Sequence, residues 1–300
     1  MQIGLVGLGK MGWNLAHNCI GKGHDVVAFD IDEVVRTEAM KEGSPVADSI
    51  EHLAEMLNRK RVIWVMIPAG SPVDSVLAHL KRALQEGDII IEGGNSHYKE
   101  SVLRATALSE AGIEMLDCGT SGGLNGALNG ICAMVGGKRE VFDHCEPLFR
   151  SISVPDGYAY CGESGSGHFA KMVHNGIEYG MMQSIAEGFE VLKGSGYPYS
   201  YEALAKVWNH GSVIRGWLME LVQQAFSKDP QLDGIRGIVR SSGEGKWMVE
   251  TALEKNISTP VIALSLLMRY RSLQEDTFSG KLVAALRNEF GGHAVTKADQ

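Results

Sequence analysis

Residues 1–30, MQIGLVGLGKMGWNLAHNCIGKGHDVVAFD, decide how the first half of the chain folds. Gln2–Val6 is a short apolar run that reads as a strand. Gly7-Leu8-Gly9-Lys10-Met11-Gly12 reads as a glycine turn, the stretch to about Gly21 as a helix, and Val26–Phe29 as a second strand ending at Asp30. A G-x-G-x-x-G alone also serves ordinary turns. Strand, turn, helix, strand and an acid 18 residues after the third glycine make up the full dinucleotide-binding unit. Gly7 permits the tight turn, Gly9 lets the backbone approach a pyrophosphate, and Gly12 lets helix and strand pack closely, with the helix N-terminus facing the anion.

Asp30 selects the cofactor, because a carboxylate accepts hydrogen bonds from ribose hydroxyls and repels a 2'-phosphate. The expected cofactor is NAD. Ile31 follows where a site for NADP would want a basic residue, and the only nearby candidate, Arg36, falls in the next helix.

Working outward, Val62–Met66, Ile89–Ile91, Ile113–Leu116 and Ile131–Val135 read as further strands, with amphipathic helical stretches between most of them. This alternation predicts an α/β Rossmann domain, a doubly wound and mostly parallel sheet. Ligands of such sheets sit at the carboxyl ends of the strands. The loops there are Ile67-Pro68-Ala69-Gly70, Gly93-Gly94-Asn95-Ser96 and Gly119-Thr120-Ser121-Gly122-Gly123. Met66, Ile67, Pro68 and Asn95 therefore join Gly7, Leu8, Gly9, Lys10, Met11, Gly12 and Asp30 in the expected cofactor site.

After Pro155 the strand signal fades, and from Gly165 the chain reads as helical almost to its end. The expected domains are 1–163, dinucleotide-binding, and 164–300, an all-α substrate and dimerisation domain with a C-terminal tail. Helical patterns recur around Tyr201–Trp208, Ile214–Phe226, Lys246–Glu254, Pro260–Glu275 and Lys281–Phe290, and Gly194 and Gly196 stop the first long helix. Gly291–Gln300 is expected to be a mobile tail unless something holds it.

The second half opens with Gly165–Gln183, GSGHFAKMVHNGIEYGMMQ. At about 100° per residue, Lys171, His174, Asn175 and Glu178 share one helix face. Phe169, Met172, Val173, Ile177 and Met181 surround that stripe, which predicts a buried helix whose polar groups find partners. A cation, an imidazole, an amide and a carboxylate converging in a buried place suit an active site better than a solvated face.

Composition sets the outer bounds. Three hundred residues with 44% hydrophobic and 21% charged content suit a globular protein of two domains, and the formal net charge of -8 argues against nucleic acid as a partner while leaving a small anionic substrate open. Five cysteines, Cys19, Cys118, Cys132, Cys145 and Cys161, show no C-x-x-C pair and no metal-ligand spacing, so buried free thiols and no metal are expected. The longest apolar run, Val261–Met268, is too short to cross a bilayer, and a reducing cytoplasm fits these features.

The Rossmann start, Gly93-Gly94-Asn95-Ser96-His97-Tyr98, Asp117–Gly123 and above all GSGHFAKMVHNGIEYG together resemble 6-phosphogluconate dehydrogenase, the decarboxylating branch of the β-hydroxyacid dehydrogenases. The resemblance runs from residue 1 to Phe290–His293 and is closest to the family's short, often NAD-linked form. It implies 6-phosphogluconate as substrate, Lys171 as general base, Glu178 as general acid with Asn175 beside them, and Asn95, Ser121, Gly122, Gly123, His174, Asn175, Glu178 and Tyr179 around the sugar acid. It further implies Arg269 at the phosphate, Arg287 and His293 entering a partner's active site, and a homo-oligomer, dimer or tetramer. The sequence departs from the longer members at Ser241-Ser242-Gly243-Glu244-Gly245-Lys246-Trp247, where they carry a lysine and a threonine that meet the substrate phosphate.

A lysine acting as base near pH 7.5 needs about 4 kcal/mol of differential destabilisation of its cation, which burial can supply. Two other readings stay open: a β-hydroxyacid dehydrogenase acting on a non-phosphorylated 3-hydroxy acid, and a catalytically silent NAD-binding regulatory protein.

Overall fold

The computed structural model describes residues 1–297; the last residues of the expected mobile tail, 298–300, lie outside the described residues. The chain divides into two compact units, Met1–Gly176 and a second from Ile177 onward.

The first unit is built on a seven-stranded sheet of order β2-β1-β3-β4-β5-β6-β7. Its strands are β1 (Gln2–Val6), β2 (Asp25–Phe29), β3 (Val62–Val65), β4 (Ile89–Glu92), β5 (Glu114–Ser121), β6 (Ile131–Gly136) and β7 (Ser153–Gly162). All neighbours pair in parallel except β5 and β6, which are antiparallel. The helices are α1 (Lys10–Gly21), α2 (Glu33–Lys41), α3 (Ile50–Met56), α4 (Ser71–Ala83), α5 (Tyr98–Ser109), α6 (Gly123–Asn129), α7 (Arg139–Ile152) and the first part of α8 (Ser166–Gly194).

Side-chain alternation along the strands feeds two cores. Ile3, Leu5, Trp64, Ile89 and Ile91 pack with Leu15 and Cys19 of α1 and Phe142, Cys145 and Phe149 of α7. Val6, Ile63, Val65 and Ile90 pack with Leu53 of α3, Leu77 and Leu80 of α4 and Leu108 of α5. Helices therefore cover both faces, which is why the central strands are apolar throughout rather than alternating. Trp64, fully buried, meets Phe149 edge-on at 5.7 Å between ring centroids.

Three expectations change. β5 runs on to Ser121, so Gly119, Thr120 and Ser121 belong to a strand and not to a loop; its antiparallel register with β6, Ser121 opposite Cys132, holds them straight. β7 is a strand where none was expected: Pro155 and Gly157 interrupt its pattern, and as the last strand of the sheet it has only β6 to pair with and tolerates both. Cys132 and Cys161, on β6 and β7, are exposed, whereas Cys19, Cys118 and Cys145 are buried, and all five are free.

The second unit contains the rest of α8, α9 (Tyr201–Trp208), α10 (Trp217–Lys228), α11 (Gly243–Glu254), α12 (Pro260–Ser272) and α13 (Phe278–Gly291). Its small core centres on Phe189, with Tyr201, Trp208 and Phe226 at 5.2 to 6.1 Å between ring centroids. Ile177 and Met181, expected to be buried, are 52% and 51% exposed. α13 buries none of its residues, and Phe278 and Phe290 are 81% and 77% exposed. No helix among the described residues is long and apolar enough to cross a membrane, and no group of three or more potential metal ligands occurs among them.

Candidate active site

Five strands end in parallel at one edge of the sheet, and the residues there form a cleft of about 520 Å³. Gly7, with φ +96, turns the chain after β1, and a Cβ on it would overlap the Met66 carbonyl oxygen. A Cβ on Gly12 would overlap the Gly7 carbonyl oxygen, whereas one on Gly9 would meet nothing within 4 Å. Gly7 and Gly12 thus serve close packing and Gly9 faces the open cleft. α1 begins at Lys10 with no side-chain cap and no acid in its first turn. Its first backbone N–H groups are available to an anionic group, so the cradle fits a dinucleotide pyrophosphate.

Asp30 is held in place from both sides. The Leu8 N–H donates to its Oδ2 at 2.6 Å and the Asp32 N–H to its Oδ1 at 2.9 Å. A carboxylate has further lone pairs, so ribose hydroxyls can still be accepted. Arg36 donates to the backbone carbonyls of Asp30 (2.7 Å) and Ile31 (3.1 Å), with its guanidinium over the Phe29 ring. Met66, Ile67 and Pro68 line the cleft together with Gly7, Gly9 and Asp30. Leu8 and Gly12 are buried behind the turn, and Lys10 and Met11 open α1. Asp48, Ser49, Glu51 and His79 also line the cleft and were not foreseen. Asp48, Ser49 and Glu51 arrive because Val46 bridges Ala28 of β2, a contact with no local signature, although Ser49 ahead of an apolar run does mark a helix start and accepts the His52 N–H. His79 comes from α4, with its Nδ1 3.0 Å from Glu51 Oε1.

Farther along the same edge, Asn95 is left-handed (φ +54), and its amide clamps Thr120 in both directions. The Thr120 N–H donates to Oδ1 at 3.0 Å, and Nδ2 donates to the Thr120 carbonyl at 3.3 Å. Ser121 ends β5, and Gly122 (φ +111) and Gly123 (φ +59) turn the chain into α6.

α8 lies against β5 and β6 through glycine contacts. A Cβ on Gly167 would overlap the Met134 carbonyl oxygen, and one on Gly119 would overlap the Lys171 Cβ. Asp117, fully buried in β5, caps the helix: its Oδ1 accepts the Gly165 N–H at 2.6 Å and its Oδ2 the His168 N–H at 2.9 Å. Lys171 and Asn175 are 6% and 8% exposed, and His174 is half-buried. His174 Nε2 lies 3.3 Å from Ser121 Oγ, and its Nδ1 lies 3.0 Å from Asn175 Oδ1. The first unit therefore gathers Asn95, Ser121, Lys171, His174 and Asn175 at the ends of β4 and β5.

Within the second unit, Glu178 is half-buried and Tyr179 is buried. The Tyr179 hydroxyl accepts the Ser242 N–H and lies 3.0 Å from Ser242 Oγ, and the Arg269 guanidinium sits 3.4 Å from the centre of the Tyr179 ring. Arg287 and His293 stay together at the exposed end of α13, where left-handed Gly292 turns the chain so that the His293 N–H points to the Arg287 carbonyl at 3.4 Å.

A sequence profile described as the NAD binding domain of 6-phosphogluconate dehydrogenase matches residues 2–162, and one described as the 6-phosphogluconate dehydrogenase C-terminal domain matches residues 167–278. The chain belongs to the 6-phosphogluconate dehydrogenase family. It is 56% identical over 297 residues to the Bacillus subtilis protein YqeC, provisionally named 6-phosphogluconate dehydrogenase, covering 99% of this chain and 100% of that one. It is 43% identical over 301 residues to the NAD(+)-dependent, decarboxylating 6-phosphogluconate dehydrogenase of Haloferax volcanii, with both chains covered completely. Longer family members exist, and the chain spans 66% of the Shigella flexneri enzyme at 35% identity. Among solved structures, the Plasmodium falciparum 6-phosphogluconate dehydrogenase, described with NADP+ and with 6-phosphogluconate, superposes with a TM-score of 0.85 at 30% identity, over all of this chain and 67% of that one. A Mycobacterium tuberculosis 3-hydroxyisobutyrate dehydrogenase shares the fold at a TM-score of 0.74 and 20% identity, over 90% of this chain and 92% of that one.

Proposed function

We propose that this chain oxidises and decarboxylates 6-phosphogluconate to ribulose 5-phosphate and carbon dioxide, with NAD as the electron acceptor. The observation that carries the reading is the seat of Lys171, buried on α8 against the carboxyl end of β5 with Ser121, His174 and Asn175 on the same edge. Full-length likeness to an NAD(+)-dependent, decarboxylating relative supports it.

NAD, held by Gly7, Gly9, the start of α1 and Asp30, supplies the hydride acceptor. Lys171, as the neutral amine, takes the proton of the C3 hydroxyl. Once C3 is a ketone, carbon dioxide leaves from C1 because the carbonyl oxygen accepts the developing negative charge, and the Lys171 ammonium donates to that oxygen. Glu178, two helical turns along α8, then delivers a proton to the former C2 carbon, which becomes C1 of the product.

Ser121, Gly122, Gly123, His174 and Asn175 orient the carboxylate and hydroxyls, and Asn95 sets their backbone through Thr120. Tyr179 and Arg269 face the phosphate end, joined by Arg287 and His293 from a second copy of the chain. The bare apolar surface of α13 supports a dimer or a higher homo-oligomer. The cofactor domain ends near residue 163 and the helical domain follows it. Five free thiols suit a reducing cytoplasm.

Asp30 supports NAD over NADP, with Arg36 occupied by backbone carbonyls. The deciding experiment is a steady-state assay of 6-phosphogluconate with each cofactor in turn. Turnover of a non-phosphorylated 3-hydroxy acid in preference to 6-phosphogluconate refutes the substrate, and faster turnover with NADP refutes the cofactor.

A further inference from the structure

Beneath the active edge lies a group of ionisable side chains that the proposed chemistry does not use. Glu92, the last residue of β4, is fully buried, as are its register neighbour Asp117 on β5 and His168 on α8; Arg104 on α5 is 8% exposed. Register partners on adjacent parallel strands present their side chains to the same face, so two buried carboxylates stand side by side.

Each acid has a different task. Asp117 takes the N–H groups of Gly165 and His168 and so fixes the start of α8. Glu92 reaches the other way: its Oε1 accepts the Gly94 N–H at 2.9 Å, closing the turn that leads to left-handed Asn95. Its Oε2 lies 3.6 Å from His168 Nδ1 and 4.0 Å from Arg104 Nη1. His168 is common to both acids, through its backbone to Asp117 and through its ring to the Glu92 side, where Nδ1 also meets Ser101 Oγ at 2.8 Å. Arg104 extends the group to the next loop, donating to Asp74 at 2.7 Å and to the Gly70 carbonyl at 3.2 Å, and pairing with Glu100 at 3.0 Å.

This arrangement does little for stability. A buried carboxylate costs several kcal/mol unless well paired, and the cationic partner of Glu92 stands beyond hydrogen-bond distance and is already engaged by two other acids. Well-packed apolar residues would serve a core at least as well. What the group does provide is a connection between three active-edge segments: the Ile67–Gly70 loop, the Gly93–Asn95 turn and the first turn of α8, one turn before Lys171.

We infer that Glu92 is a positioning residue which, through Gly94 and His168, holds the Asn95 turn and the lysine-bearing helix in one fixed relation. It touches no substrate; it sets where Asn95 and Lys171 stand. The effect on turnover rests on the proposed function, whereas the effect on the two segments does not.

The test uses the full chain with Glu92→Gln, which has a single oxygen to serve both the Gly94 N–H and the His168 side, and Glu92→Asp, which keeps both carboxylate oxygens and can close the same turn. Hydrogen exchange in Glu92→Gln is expected to accelerate in peptides covering residues 93–97 and 165–171 together, with the 7–12 turn unchanged. kcat for 6-phosphogluconate is expected to fall on the order of 10- to 100-fold, since misplacement by about 1 Å costs that much, while KM for NAD stays within about twofold, as expected for a loss confined to the reacting geometry. Glu92→Asp should recover most of both.

Unchanged exchange in either segment, or Glu92→Asp no better than Glu92→Gln, overturns the inference. If Glu92→Gln fails to fold, His168→Asn is read by the same exchange experiment, with the same two segments expected to loosen; normal exchange there overturns the inference equally. An inactive wild-type chain would count against the proposed function, and the exchange result would still decide this point.

Discussion

Gly119 and Lys171 occupy adjoining space that admits only one side chain. A Cβ on Gly119 would overlap the Lys171 Cβ and stand 2.8 Å from the Gly167 carbonyl oxygen. The missing methyl of one residue therefore sets the position of the proposed base. Gly119→Ala should push α8 away from β5 and lower kcat on the order of 100-fold, with NAD affinity retained. Steady-state kinetics and a fluorescence titration with NADH check this together; unchanged kcat would show that the contact relaxes harmlessly.

Lys171→Met and Glu178→Gln separate the two proton transfers. Lys171→Met should abolish hydride transfer while NAD still binds, because the C3 hydroxyl then has no base. Glu178→Gln should slow product ketonisation by about 100-fold or more and hydride transfer far less. A single-turnover trace of NADH appearance, run beside detection of carbon dioxide and ribulose 5-phosphate, distinguishes the steps.

Replacing Asp30 with serine removes the charge that opposes a 2'-phosphate and leaves Arg36 nearby. The ratio of kcat/KM for NAD to that for NADP should fall on the order of 10- to 100-fold, about 1.4 to 3 kcal/mol. Because Asp30 also takes the Leu8 N–H, some loss of NAD activity should accompany the shift. A ratio that does not move would remove Asp30 as the selector.

Burial pushes the thiols of Cys19 and Cys145 up to about 12 and raises Cys118 as well. A folded-state pKa raised above the unfolded value means that the folded chain holds its proton more tightly. The associated stability is complete below pH ~9, and it is lost as pH rises from there toward ~12, by about 1.4 kcal/mol per pH unit for each such thiol. Urea melts at pH 7.5, 9 and 10 should show falling stability over the last interval. A thiol reagent at pH 8 should label Cys132 and Cys161 in the folded chain and the other three only after unfolding.

Removing α13 together with the C-terminal residues beyond it, by ending the chain at Thr277, should abolish oligomerisation, since Phe278, Leu282, Val283, Leu286 and Phe290 present an apolar surface that no part of the described chain buries. Sedimentation velocity of the two forms gives the answer. A truncated chain of unchanged oligomeric size would place the subunit contact elsewhere.

Much of this protein is written in local sequence. The β1–α1 turn, Asp30 and the parallel strands before residue 116 are legible because glycine at a positive φ, strand apolarity and helix starts are properties of a few neighbouring residues. The lysine helix is legible for the same reason, since 3.6-residue periodicity alone puts Lys171, His174 and Asn175 on one side. Tertiary structure decided whatever depends on packing between distant segments. β7 is not legible locally, because Pro155 and Gly157 spoil its pattern and only pairing with β6 makes it a strand. Asp48 and Glu51 reach the cleft through the Ala28–Val46 bridge, and His79 meets Glu51 there from α4. Ile177 and Met181 look like core residues by composition, yet half of their surface stays open because no described element packs fully over them. Glu92 illustrates the division most clearly. In sequence it is one acid before a pair of glycines; only the register of β4 with β5, and the close approach that Gly119 and Gly167 grant to α8, place its carboxylate beside His168.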